Sequence, residues 1–146
     1  MTIYFSGSIS GGRDDVAKYR RIADYLESAG HRLVSRHVCD ESLTAGGEAL
    51  TAEEIFDRDM AWIAEAASEN GALVAEVSVP SLGVGYEIAT ARYRYGMPVI
   101  CLYRREHTQR CSAMVSGDRG VTFLDYTEEG FESMLEKLGE ALRRRR

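Results

Sequence analysis

A basic excess is missing from this chain: of 146 residues, 18 are Lys or Arg and 23 are Asp or Glu, giving a formal net charge of −5. Nucleic-acid-binding modules carry the opposite balance, so a bare DNA- or RNA-binding domain is disfavoured. Cysteine is scarce as well. Cys39, Cys101 and Cys111 make an odd count without a C-x-x-C spacing, and Met1-Thr-Ile-Tyr-Phe5 lacks a signal-peptide layout. A reducing cytoplasmic or nuclear setting is therefore expected. The three histidines, His31, His37 and His107, form no H-E-x-x-H or paired Cys/His pattern, so no metal is expected. Long apolar runs are absent too: the stretch Gly71-Ala-Leu-Val-Ala75 stops at Glu76, far short of the ~20 residues of a membrane helix. What is present, 45% hydrophobic residues in a chain of this length, suits one domain over 1–146 that buries roughly two thirds of its unfolded surface.

Read in order, Thr2-Ile-Tyr-Phe-Ser6 predicts a strand that runs into the glycine-rich turn Gly7-Ser8-Ile9-Ser10-Gly11-Gly12. From Arg13 to Ala29, Val16, Tyr19, Ile22, Ala23 and Leu26 recur at helical spacing, and Gly30 is placed to stop the helix. A second strand is expected over Arg32–Val38, followed by a long connection, Cys39 to Leu50. Thr51-Ala-Glu-Glu54 has the form of a capping box and opens a helix through about Ala67. Asp59 falls on the apolar stripe of that helix, between Ile55 and Ile63, where a carboxylate requires a reason. Ala72–Val77 predicts a buried strand, Pro80–Gly85 a turn, and Tyr86–Tyr95 a helix ending at Gly96. Strands at Pro98–Tyr103 and Val121–Leu124 and a helix over Glu128–Arg146 complete the pattern. Strands alternating with helices imply an α/β fold, a five-stranded parallel sheet of Rossmann or flavodoxin type with helices on both faces. Ligands of such folds bind beyond the carboxyl ends of the strands, here Gly7–Gly12, His37 and Ser78–Glu87.

Two glycine-bearing turns each feed a helix, an arrangement that turns backbone N–H groups toward an anion, most economically a phosphate. Gly7-x-x-x-Gly11-Gly12 is neither a nucleoside-triphosphate P-loop nor a G-x-G-x-x-G motif, so a monophosphate is the better guest. Tight turns alone would also account for the glycines. Glu87, read as a first-turn residue of the third helix, would be kept ionised by the helix amino end, or be merely a favourable helix-start residue. Glu87 and Asp59 together would supply the pair of carboxylates common in glycosyl chemistry. For Asp59, a buried carboxylate bonded to backbone or Arg is the competing reading. Tyr4, Trp62 and Met114 read first as core residues, and His37 as a base contact or a solvated side chain. The arginine run 143–146 suits either a solvated helix end or a nucleic-acid or import patch.

In combination, Ile3-Tyr-Phe-Ser-Gly-Ser-Ile-Ser-Gly-Gly12, Asp59-Met-Ala-Trp62, Ala75-Glu-Val77, Pro80-Ser-Leu-Gly-Val-Gly-Tyr-Glu87 and Cys111-Ser-Ala-Met114 resemble the 2′-deoxynucleoside 5′-phosphate N-hydrolases, in the nucleoside 2-deoxyribosyltransferase superfamily. The resemblance runs in order over nearly the whole chain, and P-S-L-G-V-G-Y-E is its most specific segment. It implies Glu87 as the nucleophile at the anomeric carbon, Asp59 holding the deoxyribose hydroxyl and assisting the leaving base, and Tyr4 orienting Glu87. It implies that Ser81, Gly83 and the loop Gly7, Ser8, Ile9, Ser10, Gly11 and Gly12 cradle the 5′-phosphate, and that His37 stands beside the base. It further implies a homodimer in which Ser112 and Met114 complete the neighbour's site, a deoxynucleoside 5′-monophosphate as substrate, and no cofactor. Ser10 stands where mammalian members carry Arg, so phosphate contact there would rest on backbone N–H groups and a hydroxyl. Residues 39–50 follow no clear family pattern, and the preferred base stays open. A deoxyribosyltransferase, a ribonucleotide N-hydrolase and a nucleotide-binding module without catalysis remain the alternatives.

Overall fold

Two inner strands, β1 (Thr2–Ser6) and β3 (Ala72–Glu76), are buried at every position, as near-continuous apolar runs in a parallel sheet covered on both faces should be. The computed structural model describes residues 1–9, 15–40, 42–43, 48–106 and 110–144. Expectations placed on Ser10, Gly11, Gly12, Gly46, Gly47, His107 and positions 145–146 lie outside the described residues. With β2 (Arg32–Leu33), β4 (Val99–Arg104) and β5 (Thr122–Tyr126), the strands form one five-stranded sheet in the order β2-β1-β3-β4-β5, every neighbouring pair parallel. The predicted α/β architecture is the observed one.

Helix α1 (Val16–Ser28) buries Val16, Tyr19, Ile22, Ala23 and Leu26 and ends at Gly30, whose φ of 81° lies in the left-handed region that glycine enters without strain. Helix α5 (Phe131–Arg143) buries Phe131, Met134, Leu135, Leu138 and Leu142. These two helices cover the face of Ile3, Phe5, Ala72, Val74, Ile100 and Leu102. The opposite face, with Tyr4, Leu73, Ala75, Val99 and Cys101, packs against α2 (Ala52–Ser68) and α3 (Leu82–Ala89). The capping box that opens α2 is complete: Thr51 Oγ1 accepts from the Glu54 amide at 3.2 Å, and Glu54 Oε2 accepts from the Thr51 amide at 2.8 Å.

Several elements depart from the sequence expectation. The second strand was expected through Val38 but pairs only over Arg32–Leu33, and Arg36–Cys39 is a 3₁₀ turn. The cause is Ser35, whose hydroxyl accepts from the Phe5 amide and donates to the Phe5 carbonyl, each at 2.7 Å, replacing a ladder rung with a side chain. Next, α3 begins at Leu82, not Tyr86. Ser81 is its cap, with its hydroxyl 3.4 Å from the Val84 amide, so Gly83 and Gly85 belong to the helix and not to a turn; a π turn over Thr90–Arg94 then follows. Finally, among the described residues, the helices expected over Arg13–Ala29 and Glu128–Arg146 span Val16–Ser28 and Phe131–Arg143.

The chain passes from β1 outward to β2, then returns across β1 to β3, so the connections part at the carboxyl ends of β1 and β3. A crevice opens at such a point, and ligands of open α/β sheets bind there.

Candidate active site

Strand alternation places Tyr4 and Ser6 on the same face of β1, directed at α3. Glu87 meets both: the Tyr4 phenol donates to Oε1 at 2.9 Å, and the Ser6 hydroxyl donates to Oε2. Glu87 lies in the second turn of α3, so the expectation of a first-turn carboxylate with a lowered pKa is corrected. Burial dominates instead and pushes it up to about 7, opposed by the two hydroxyls and reinforced by the charge of Asp59. The Tyr4 phenol is held far above its usual range, first by burial and then by the charges of Glu87 and Asp59, so it remains a donor.

A cleft of about 640 Å³ lies in front of Glu87. Asp59 on α2 lines it together with Glu87, as do Gly7 and Ile9 after β1 and Ser81 and Gly83 after β3. Asp59 is buried, and that burial raises its pKa against the lowering effect of Arg58. Gly7 is closely packed: a Cβ there would stand 3.1 Å from the Tyr19 ring and 3.2 Å from Val38, so either neighbour would have to give way. Gly83 exposes its backbone at the start of α3, where the first amides of a helix have no partner within it. Ser8 is fully buried. Three expected phosphate contacts, Ser10, Gly11 and Gly12, lie outside the described residues.

His37 sits on the 3₁₀ turn, its ring centroid 5.1 Å from that of Trp62 and its Nε2 3.1 Å from Arg58 Nη2. It approaches the cleft through Arg58, since Glu48 and Asp59, both bonded to Arg58, are lining residues. Ser112 and Met114 are elsewhere. They line a second, apolar hollow of about 520 Å³ across the β3–α3 turn, and Met114 is 86% exposed. Pro80, Ser81, Leu82 and Val84 form the wall common to both hollows. Ser112 directly precedes α4 (Ala113–Ser116), a short helix that the sequence did not announce.

Among the described residues, no group of three or more His, Cys, Asp or Glu is arranged to hold a metal ion, and no helix is long and apolar enough to cross a membrane. Cys39, Cys101 and Cys111 form no disulfide.

No protein-family model matches the chain, but curated relatives match along nearly all of it. The 5-hydroxymethyl-dUMP N-hydrolase of Mus musculus is 41% identical over 145 residues, 96% of this chain and 80% of that protein. The 5-hydroxymethyl-dUMP N-hydrolase of Esox lucius is 41% identical over 150 residues, 97% of this chain and 98% of that protein. A protein of Nematostella vectensis assigned by name to the 2′-deoxynucleoside 5′-phosphate N-hydrolases is 42% identical over 141 residues, covering 91% and 90% of the two chains. The chain belongs to this N-hydrolase family. The solved structure of a Clostridium botulinum CMP N-glycosidase matches with a TM-score of 0.62 over 97% of this chain and 100% of that one; at 17% identity the likeness concerns the fold.

Three residues at the candidate site escaped the sequence reading. Ser6 carried a signal, because it stands two positions after Tyr4 and a strand repeats its face every second residue. Arg58 and Glu48 did not: their pairing joins α2 to the connection before it, a contact that no spacing rule encodes.

Proposed function

We propose that the protein hydrolyses the N-glycosidic bond of 2′-deoxynucleoside 5′-monophosphates, releasing free base and 2-deoxyribose 5-phosphate. The observation that carries this reading is the Glu87 carboxylate, held by Tyr4 and Ser6 and facing a cleft shared with Asp59. Glu87 attacks the anomeric carbon in its ionised form; the C–N bond breaks, and its electron pair leaves with the base. Asp59 holds the deoxyribose hydroxyl and assists protonation of the departing base. Water then cleaves the glycosyl ester, which returns the Glu87 carboxylate and gives the sugar phosphate. Breaking this bond builds positive charge on the sugar, which a preorganised carboxylate stabilises. A 2′-hydroxyl withdraws electrons from that centre, so deoxy substrates react more readily. Tyr4 and Ser6 fix the attacking oxygens. The 5′-phosphate is received by Ser81, Gly83 and the glycine-bearing loop that starts at Gly7, with His37 on the base side.

The assembly in this reading is a homodimer. Ser112 and Met114 line a different hollow from Glu87, which supports their acting in the neighbour's site and not in their own. The exposed apolar side chains Leu82, Tyr93 and Met114 around that hollow suit cover by a second copy.

The test is chromatography of free base released from deoxy- and ribonucleoside 5′-monophosphates and unphosphorylated nucleosides. The names of the relatives make 5-hydroxymethyl-dUMP the first member of the panel. Base release confined to deoxynucleoside monophosphates, and nearly abolished in Glu87→Ala with nucleotide binding retained, is the expected result. Near-normal turnover in Glu87→Ala would remove the nucleophile. Exchange of the sugar onto an added free base, in place of sugar phosphate release, would identify a transferase.

A further inference from the structure

Neighbouring residues on a helix do not face one another, so a bond between the side chains of Arg58 and Asp59 is not a default helix-surface pair. It exists because the guanidinium is anchored elsewhere. Arg58 Nη1 donates to Glu48 Oε1 at 2.5 Å and Nη2 to Glu48 Oε2 at 2.8 Å, the bidentate fork that a planar guanidinium offers a carboxylate. Nη2 also lies 3.1 Å from His37 Nε2, and the guanidinium carbon stands 4.9 Å from the centroid of the Trp62 ring. Held in its plane by Glu48 and against Trp62, the group delivers Nε to Asp59 Oδ1 at 2.9 Å. Arg58 and Glu48 are themselves largely buried, with side chains 20% and 10% exposed. So closed a set of contacts exceeds what a surface ion pair achieves.

We propose that Arg58 is a positioning residue for the N-hydrolase reaction: with Glu48 as its anchor, it engages Oδ1 of Asp59 and so presents Oδ2 to the sugar and the departing base. This rests on the reading of Asp59 as the carboxylate that meets the substrate. Its charge matters as well as its reach, because Glu48, Asp59 and Glu87 line one cleft and a substrate phosphate adds to their repulsion. The ionisable groups around Asp59 are Arg58 on its own helix, Glu48 on the segment before it, Tyr4 on β1 and Glu87 on α3, with His37 reaching it through Arg58. Arg58 acts to lower both Asp59 and Glu87, so its loss moves both titrations to higher pH.

The experiment compares the full chain with Arg58→Gln, Arg58→Lys and Asp59→Asn. Steady-state kinetics are measured on the best deoxynucleotide of the panel, and the Asp59 carboxyl carbon is titrated by NMR without substrate. For Arg58→Gln the expected result is a fall in kcat of roughly 10- to 100-fold, the scale of a slightly misplaced catalytic group, with little change in KM. The NMR midpoint of Asp59 and the acid limb of kcat/KM should both move to higher pH. Arg58→Lys keeps the charge without the fork, so it should restore the midpoint but not kcat. Arg58→Gln with the parental kcat and midpoint would overturn the proposal, as would full rescue of kcat by Arg58→Lys. A fall in kcat with an unmoved midpoint would reduce Arg58 to a structural part. An active Asp59→Asn variant would instead strike the reading of Asp59, which separates that failure from this one.

Discussion

Burial of the Glu87 carboxylate ties the stability of the fold to pH. A carboxylate with a pKa of about 7 in the folded chain and 4.5 as its ordinary value binds a proton in the native state over a range where the unfolded chain has released it. Folding stability therefore falls as pH rises from about 4.5 through 7, and above that the cost of a desolvated charge is complete. Glu87→Gln removes the charge while keeping the shape. It should stabilise the chain by roughly 1–3 kcal/mol at pH 8 and by almost nothing near pH 4.5, read from thermal melts at the two values. An equal shift at both would mean that burial of charge is not what Glu87 contributes. In the proposed reaction the same group would set the acid limb of kcat/KM, which reports the free enzyme, and that limb should have its midpoint near pH 7.

Ser35 shows how one hydroxyl decides the length of an element. Its two bonds satisfy both backbone groups of Phe5 and release the chain into the 3₁₀ turn that carries His37. Ser35→Ala leaves a buried donor and acceptor of β1 without these partners and should cost about 1–3 kcal/mol in urea denaturation. A loss within a few tenths of a kcal/mol would show that β1 recruits another partner there. The sequence made the long amphipathic helices legible because α1, α2 and α5 repeat their apolar stripes over several turns, and β1 and β3 are bounded apolar runs. It misjudged β2 and α3 for local reasons. Apolar and β-branched residues after Arg32 resemble a strand whether or not a side chain has taken over the ladder. Glycines at 83 and 85 weigh toward a turn although Ser81 supplies a cap and the helix starts at once.

At the scale of the molecule, the residues expected at one site divide between two hollows on either side of a common wall. In the proposed homodimer, twofold symmetry would bring each hollow to its partner, and a site lost in one subunit could be rebuilt from two. Mixing Glu87→Ala with Ser112→Ala chains should recover part of the base release that neither shows alone; no recovery after demonstrated subunit exchange would contradict the shared site. Glu87, Asp59 and Tyr4 were legible as members of a sequence motif, whereas Ser6, Glu48 and Arg58 emerge only from strand alternation and tertiary packing. That alternation has an evolutionary consequence. Tyr4 and Ser6 face Glu87 while Ile3 and Phe5 face the opposite core, so inserting or deleting a single residue within β1 would put hydrocarbon against Glu87 and hydroxyls into the core at once. Substitutions around the rim can retune which nucleotide is accepted, but the reading frame of five residues in the middle of the sheet is a parameter that descent must copy unchanged.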